Sequence, residues 1–374
     1  MRRIALQTLA FDRGKLVASV AGVAFATSLV LAQFGLYEGF LDAAAAVIRH
    51  CGGDLWIMGR GTEVLDNSEP LSPVSRAAVL SHPAVRAVRG LALGFAPVRK
   101  ASGARDFVMV VGCEARQEPL VPWDLIEGLP QDLTAHGRVS VDRLDLAKLQ
   151  LPDRPIGSTL DVADHVVQIA AVTQGIRSFT LSPYLFTDIR NARRLLFLAE
   201  GQASYWIADL SDPGRAAEVA RWVDRHPDLQ AIPTERWAAM TEEFWVGGSG
   251  AGTALLFSAL LGLVVGTVVV GQTLYTVTKE HLRELAMLKA VGATRAELAS
   301  FVLWQVALLV VLGGGLGLLF AVAIRHFGQP VGVAILLSNR VLSLGAAAIV
   351  TMCGVASLAS LRTVLSLEAG EVFK

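Results

Sequence analysis

The chain has 374 residues, 53% of them apolar, and a formal net charge of +0. The neutral balance argues against nucleic acid as a partner. The apolar share exceeds that of an ordinary soluble domain and falls short of an all-membrane chain, so several spans plus a sizeable water-facing part are expected. Residues 1–15 come first, with Arg2, Arg3, Arg13 and Lys15 set against Asp12 alone, and Ile4, Leu6, Leu9 and Phe11 between them. This pattern suits a short helix lying on the inner membrane surface. The alternative is a signal-peptide n-region. The apolar run from Leu16 to about Phe34 is longer than a signal h-region and no clear cleavage site follows it, which favours an uncleaved first span.

The first span and its stalk occupy residues 16–44. Gly22 with Ala26, and Gly35 with Gly39, give the small-xxx-small spacing that permits close helix contact. From 45 to 234 no membrane-length apolar run occurs, and charges and prolines are frequent. Leu55 to Met58 reads as a strand, Ser75 to Ser81 as a short helix, and Val85 to Val98 and Phe107 to Cys113 as strands. Val139 to Leu149 is mixed. Leu160 to Val172 reads as a hairpin turning at Ala163-Asp164-His165. Ile189 to Leu198 and Arg215 to Arg225 read as amphipathic helices, with a strand at Tyr205-Trp206-Ile207 between them. Short mixed elements of this kind predict an α+β domain, long enough to bury its own core.

Residues 235–276 hold a stalk helix, Glu235 to Trp245, and a second span from about Thr253. Between them lie Gly247, Gly248, Gly250 and Gly252, read either as a hinge or as a flexible junction. Gly262 and Gly266 form a GxxxG face. Residues 277–298 are charged, although apolar runs flank them; ionised side chains are costly in hydrocarbon, so this stretch belongs in water. Leu282, Leu285 and Leu288 recur at helical spacing, Gly292 suits a helix C-terminus, and Thr294 with Glu297 forms a capping box opening the next helix. The third span is 299–324, with Gly313 and Gly317, followed by a loop at 325–340, a fourth span at 341–361 and a tail at 362–374.

Loop charges set the orientation. Lys279, Arg283, Lys289 and Arg295 share a side with the N-terminal cluster, whereas the last loop has only Arg325 and Arg340. The positive-inside rule places both termini and the 277–298 stretch in the cytoplasm, and the 45–234 domain outside. The fold class expected is therefore four transmembrane helices with a large α+β extracytoplasmic domain inserted between the first and second.

Several chemistries lack their motifs. No G-x-x-x-x-G-K-[ST] loop, H-E-x-x-H pair or G-x-S-x-G elbow occurs, so no ATP site, metal site or catalytic residue is expected in this chain. Polar residues within the spans are chiefly Gln33, Gln272 and Gln305, read as interhelical hydrogen-bond partners. The three cysteines, Cys51, Cys113 and Cys353, show no C-x-x-C spacing, and spacing does not fix whether Cys51 and Cys113 are oxidised.

The run Arg283-Glu284-Leu285-Ala286-Met287-Leu288-Lys289-Ala290-Val291-Gly292-Ala293-Thr294 resembles the signature of FtsX/MacB-type ABC transporter permeases, R-E-I-G-x-L-R-A-L-G-A. The likeness covers essentially the whole chain. Gln33 to Phe40 and Gly53 to Ile57 resemble the DevC-like branch. The tail resembles the family's terminal D-P-x-E-x-L/F pattern without its proline. The resemblance implies a coupling helix docking on a separate ATPase dimer that carries the ATP and Mg, through Glu280, Arg283, Glu284, Leu288, Lys289, Gly292 and Ala293. Leu288 is expected to fill a groove on the ATPase or to pack at the base of the third span. It further implies a bacterial inner-membrane location and a second copy or close paralogue. A periplasmic adaptor and an outer-membrane channel complete the implied assembly, with glycolipids, peptides or drugs as the substrate class. Two other roles within the same family are regulation of a cell-wall hydrolase and lipoprotein release.

Overall fold

A computed structural model of the chain describes residues 13–114, 122–176, 178, 182–248, 250–280, 286–287, 289, 291–328 and 335–366. The expected interfacial helix up to residue 12 and the tail from 367 lie outside the described residues. The chain divides into two compact units, one made of Met1–Gly39 with Gly252–Lys374, the other of Phe40–Ala251. The first helix, α1 (Arg13–Cys51), contributes to both. Its 39 residues make it about 58 Å long, roughly twice the hydrocarbon thickness. Gly35 and Gly39 do not break it, because a single glycine costs a helix only about 1 kcal/mol.

The Phe40–Ala251 unit is built on one ten-stranded sheet. In chain order its elements are β1 (Leu55–Gly59), α2 (Pro73–Leu80), β2 (Val85–Arg99), β3 (Arg105–Cys113), β4 (Leu125–Glu127), β5 (Arg138–Asp142), α3 (Leu146–Leu149), β6 (Thr159–Val162), β7 (His165–Thr173), β8 (Tyr184–Asp188), α4 (Ile189–Leu195), β9 (Tyr205–Leu210), α5 (Ala216–Val223), β10 (Leu229–Pro233) and α6 (Thr234–Glu243). The strand order is β10-β1-β9-β2-β3-β8-β5-β7-β4. β6 pairs with both β2 and β7, so β2, β3, β8, β5, β7 and β6 close into a ring. Closure removes exposed edges from that half of the sheet. Its inside is filled by Val98, Val108, Val110, Val141, Val162 and Ile169, which alternate with outward residues along their strands.

The expected hairpin is present. Val162 pairs with His165 across a two-residue turn in which Ala163 and Asp164 have φ of 52° and 61°. Two successive left-handed residues match the twist of the strands they join. The helix expected from Ser75 starts at Pro73, because the Ser72 side chain caps it by accepting from the Ser75 amide. The helix expected to run to Leu198 stops at Leu195, since Phe197 takes a φ of 55°.

The other unit adds three long helices among the described residues: α7 (Ala251–Glu280), α8 (Arg295–Gly328) and α9 (Asn339–Ser366). With α1 they are, among the described residues, the four helices long and apolar enough to cross a membrane. α1 supplies Val20, Val23, Ala26 and Val30 to the bundle core, against Val270 of α7, Phe301 and Leu309 of α8, and Ile349 and Met352 of α9. Gln33 of α1 accepts a hydrogen bond from Ser258 of α7 at 3.3 Å. Gln305 is buried, whereas Gln272 lies on the exposed face.

Candidate coupling and transmission site

Between α7 and α8 the described residues Met287 and Lys289 are helical, and a turn follows at Val291 and Gly292 whose geometry rests on three residues. Gly292 has a φ of 105°, a conformation other residues adopt only with strain, and a Cβ there would meet nothing within 4 Å. The Thr294 backbone amide donates to Glu297 Oε2 at 2.8 Å, and the Glu297 amide donates to Thr294 Oγ1 at 3.3 Å. The expected capping box is thus formed reciprocally at the start of α8.

Of the residues expected to contact an ATPase, Arg283, Glu284 and Leu288 lie outside the described residues. Glu280 is the last residue of α7. Lys289 is half-buried. Ala293 is half-buried against the bundle core, so it serves the inner side of the turn. Met287, which the sequence places beside Leu282, Leu285 and Leu288 on a partly apolar face, is 51% exposed, and Val291, which the pattern did not single out, is 90% exposed. The Val291 amide donates to the Met287 carbonyl at 3.1 Å, which stacks the two one turn apart. The i, i+4 spacing from Met287 within a charged stretch is the signal that could have found Val291.

The glycines of the bundle differ in how tightly they are held. A Cβ at Gly313 would lie 2.6 Å from Val23 Cβ, and one at Gly317 would lie 2.4 Å from Thr27 Cβ. A Cβ at Gly22 would approach Thr273 Oγ1 to 3.1 Å, at Gly35 Ile335 Cγ2 to 2.7 Å, and at Gly266 Met352 Sδ to 3.1 Å. Gly262 is looser, with Leu29 Cγ 3.6 Å away. Gly39 is buried. Gly345, which sequence reasoning passed over, is among the tightest, at 2.3 Å from Leu31 Cδ2. All but one of these approaches involve α1, which is the helix the others close on.

The far end of α1 is fixed into the sheet of its own unit. Ala45, Val47, Ile48 and Cys51 are buried with Leu91, Leu93, Met109 and Val111 on one face of β2 and β3. Arg89 Nη1 donates to the Cys51 carbonyl at 3.1 Å and Arg89 Nη2 pairs with Asp209 Oδ1 at 3.3 Å. Thr234 Oγ1, opening α6, donates to the Gly53 carbonyl at 2.7 Å. Arg49 on α1 pairs with Glu242 on α6. After α6 the backbone widens into a π turn, Phe244–Gly248. A Cβ at Gly247 would meet nothing within 4 Å, Gly250 has a φ of 75°, and Gly252 is the second residue of α7. A Cβ at Gly248 would lie 2.9 Å from the Phe244 ring, one turn back.

Among the described residues no three His, Cys, Asp or Glu side chains are placed to hold a metal. One helix is shared by two cores, and one turn presents apolar side chains to water.

Residues 16–226 match the MacB-like periplasmic core domain, and residues 256–369 match the FtsX-like permease C-terminal domain. An uncharacterised ABC transporter permease of Mycobacterium bovis is 26% identical over 99% of this chain and 98% of its own length. The macrolide export ATP-binding/permease protein MacB of Bartonella henselae is 26% identical over 54% of this chain and 32% of its own length. The periplasmic region of MacB from Actinobacillus actinomycetemcomitans aligns with 52% of this chain and 95% of its own, at 12% identity and a TM-score of 0.39. Four membrane-length helices, an α+β domain set between the first and second, and domain matches over both regions make the chain a member of the FtsX/MacB-type ABC transporter permease family.

Proposed function

We propose that the chain is the permease subunit of an exporter that transmits motion rather than conducting substrate through its helices. A separate ATPase dimer, holding ATP and Mg, docks on the 277–298 turn of two permease copies. Closure of that dimer moves α7 and α8 at the turn, and α1 carries the movement to the outer domain. The observation that carries this reading is the continuity of α1, a single 39-residue helix with its middle in the bundle core and its last turns buried in the sheet. A helix packed into two cores along its length transmits displacement with little loss, because packed cores are stiff. The exposed Met287 and Val291 support docking at the turn, since water-facing apolar side chains on a short charged stretch suit a groove on a partner. The relative named for macrolide export supports outward transport as the direction of work. An inner-membrane location, a periplasmic adaptor and an outer-membrane channel complete the proposed assembly.

Joint replacement Arg283→Ala and Glu284→Ala tests the docking. The ATPase subunit is expected to be lost from the permease on purification in detergent, while the permease still inserts in the membrane. Undiminished co-purification refutes the assignment. Protease added to right-side-out vesicles is expected to cut near Asp132, and protection there refutes the orientation.

A further inference from the structure

Cys51 ends α1 and Cys113 ends β3, 62 positions apart, yet their sulfurs lie 4.0 Å from each other. Both are thiols in this structure. Cys51 is 1% exposed and Cys113 is half-buried, and both pack in the core that receives the last turns of α1. The His50 ring stacks on Trp123 with centroids 4.0 Å apart, and Trp123 packs edge-on to Phe186 beside the same core. A disulfide asks these sulfurs to approach by about 2 Å, the scale of a side-chain rotamer change.

We infer that Cys51 and Cys113 form a disulfide in the working protein, covalently joining the last turn of the membrane-derived helix to the central strands of the outer sheet. The inference rests on the extracytoplasmic placement of this domain, where disulfides form and persist. The oxidant is a disulfide-bearing protein or small molecule of that compartment. The Cys113 thiolate, the more accessible of the two, attacks one sulfur of the oxidant and displaces the other as a thiolate. Cys51 gives up its proton and attacks the Cys113 sulfur of the mixed disulfide, expelling the second oxidant thiolate. Two protein thiols thereby lose two electrons and two protons, and the oxidant's disulfide becomes two thiols. The bond would reinforce the junction of α1 with the domain, beside the Arg89 hydrogen bond to the Cys51 carbonyl.

The test is peptide mapping of the full chain from its native membranes, with free thiols blocked by N-ethylmaleimide before lysis. The expected result is a Cys51 peptide linked to a Cys113 peptide, two hydrogens lighter than the separate peptides, with Cys353 blocked. Reduction of the purified chain in detergent is expected to lower the melting temperature of the outer domain by about 10 °C. Cys113→Ser should start at the lower temperature and ignore the reductant. Blocked Cys51 and Cys113 in vesicles whose outer domain is cut by added protease overturn the disulfide alone. Blocked cysteines with a protected domain overturn the disulfide and the placement together.

Discussion

The two units solve the same problem in different solvents. In the Phe40–Ala251 unit Trp56, Trp206, Trp237, Tyr184 and Phe186 are all buried inside a closed or covered sheet. The helical unit does the reverse. Phe257, Val268, Leu303, Val311, Leu319 and Phe320 point outward, and small residues meet inward. In water that outward face would drive aggregation, but lipid is as apolar as leucine and removes the penalty. Close backbone approach and interhelical packing must then hold the bundle, where apolar burial holds the domain. The contrast predicts different weak points in each unit.

The sharpest way to break the comparison is to make one substitution at two glycines of α8. Gly317→Leu drives a side chain into Thr27 and the Ala24 carbonyl, 2.6 Å from the Cβ, and is expected to cost about 3 kcal/mol. Gly314→Leu, one turn of chain away, faces open space and is expected to change stability by less than about 1 kcal/mol. Monodisperse recovery and thermal stability in mild detergent separate the two. Equal losses would mean that α8 does not close on α1 through this face.

In the outer unit the matching site is Gly112, over which α4 passes. A Cβ there would lie 2.1 Å from Ala192 Cβ and 3.2 Å from the Ile189 Cα. Gly112→Val is expected to cost up to about 3 kcal/mol and to lower the melting temperature of this domain by about 9 °C. The helical unit should retain its helicity by circular dichroism.

A third prediction uses a charge. Burial pushes the Asp66 carboxyl up to about 6, and its Oδ1 has no hydrogen-bond partner among the described residues. The folded state therefore binds the proton more tightly than the unfolded chain, whose carboxyl titrates near 4. Stability is fully present below about pH 4 and falls as pH rises to about 6, by roughly 2 kcal/mol. Asp66→Asn should remove this fall and raise the melting temperature at pH 7. A profile unchanged by the substitution would locate the titration elsewhere. The smallest effect is at the coupling turn. Thr294→Ala removes the hydroxyl half of the capping box and is expected to cost about 1 kcal/mol locally. Faster amide exchange at Glu297 and Leu298, with no change in the melting of the outer domain, is the readout.

The sequence by itself determined everything that short-range physics specifies. Four apolar runs of bilayer length needed no partner to be recognised, because a span must satisfy its own backbone. The Thr294–Glu297 capping box and the Ala163–Asp164 hairpin turn were legible for the same reason: each is made by residues within three or four positions of one another. The tertiary structure decided what joins distant positions. β8 and β10 escaped the reading of the strands, and the insertion of β6 between β2 and β7 closes a ring across more than 60 positions of chain. The length of α1 was hidden as well. Past Phe40 its sequence looks like the start of a soluble domain, and it stays helical to Cys51 because the sheet buries Ile48 and Cys51. Gly345 against Leu31, and Cys51 against Cys113, are neighbours for the same reason. Such contacts depend on which elements pack together, and no local propensity encodes that choice.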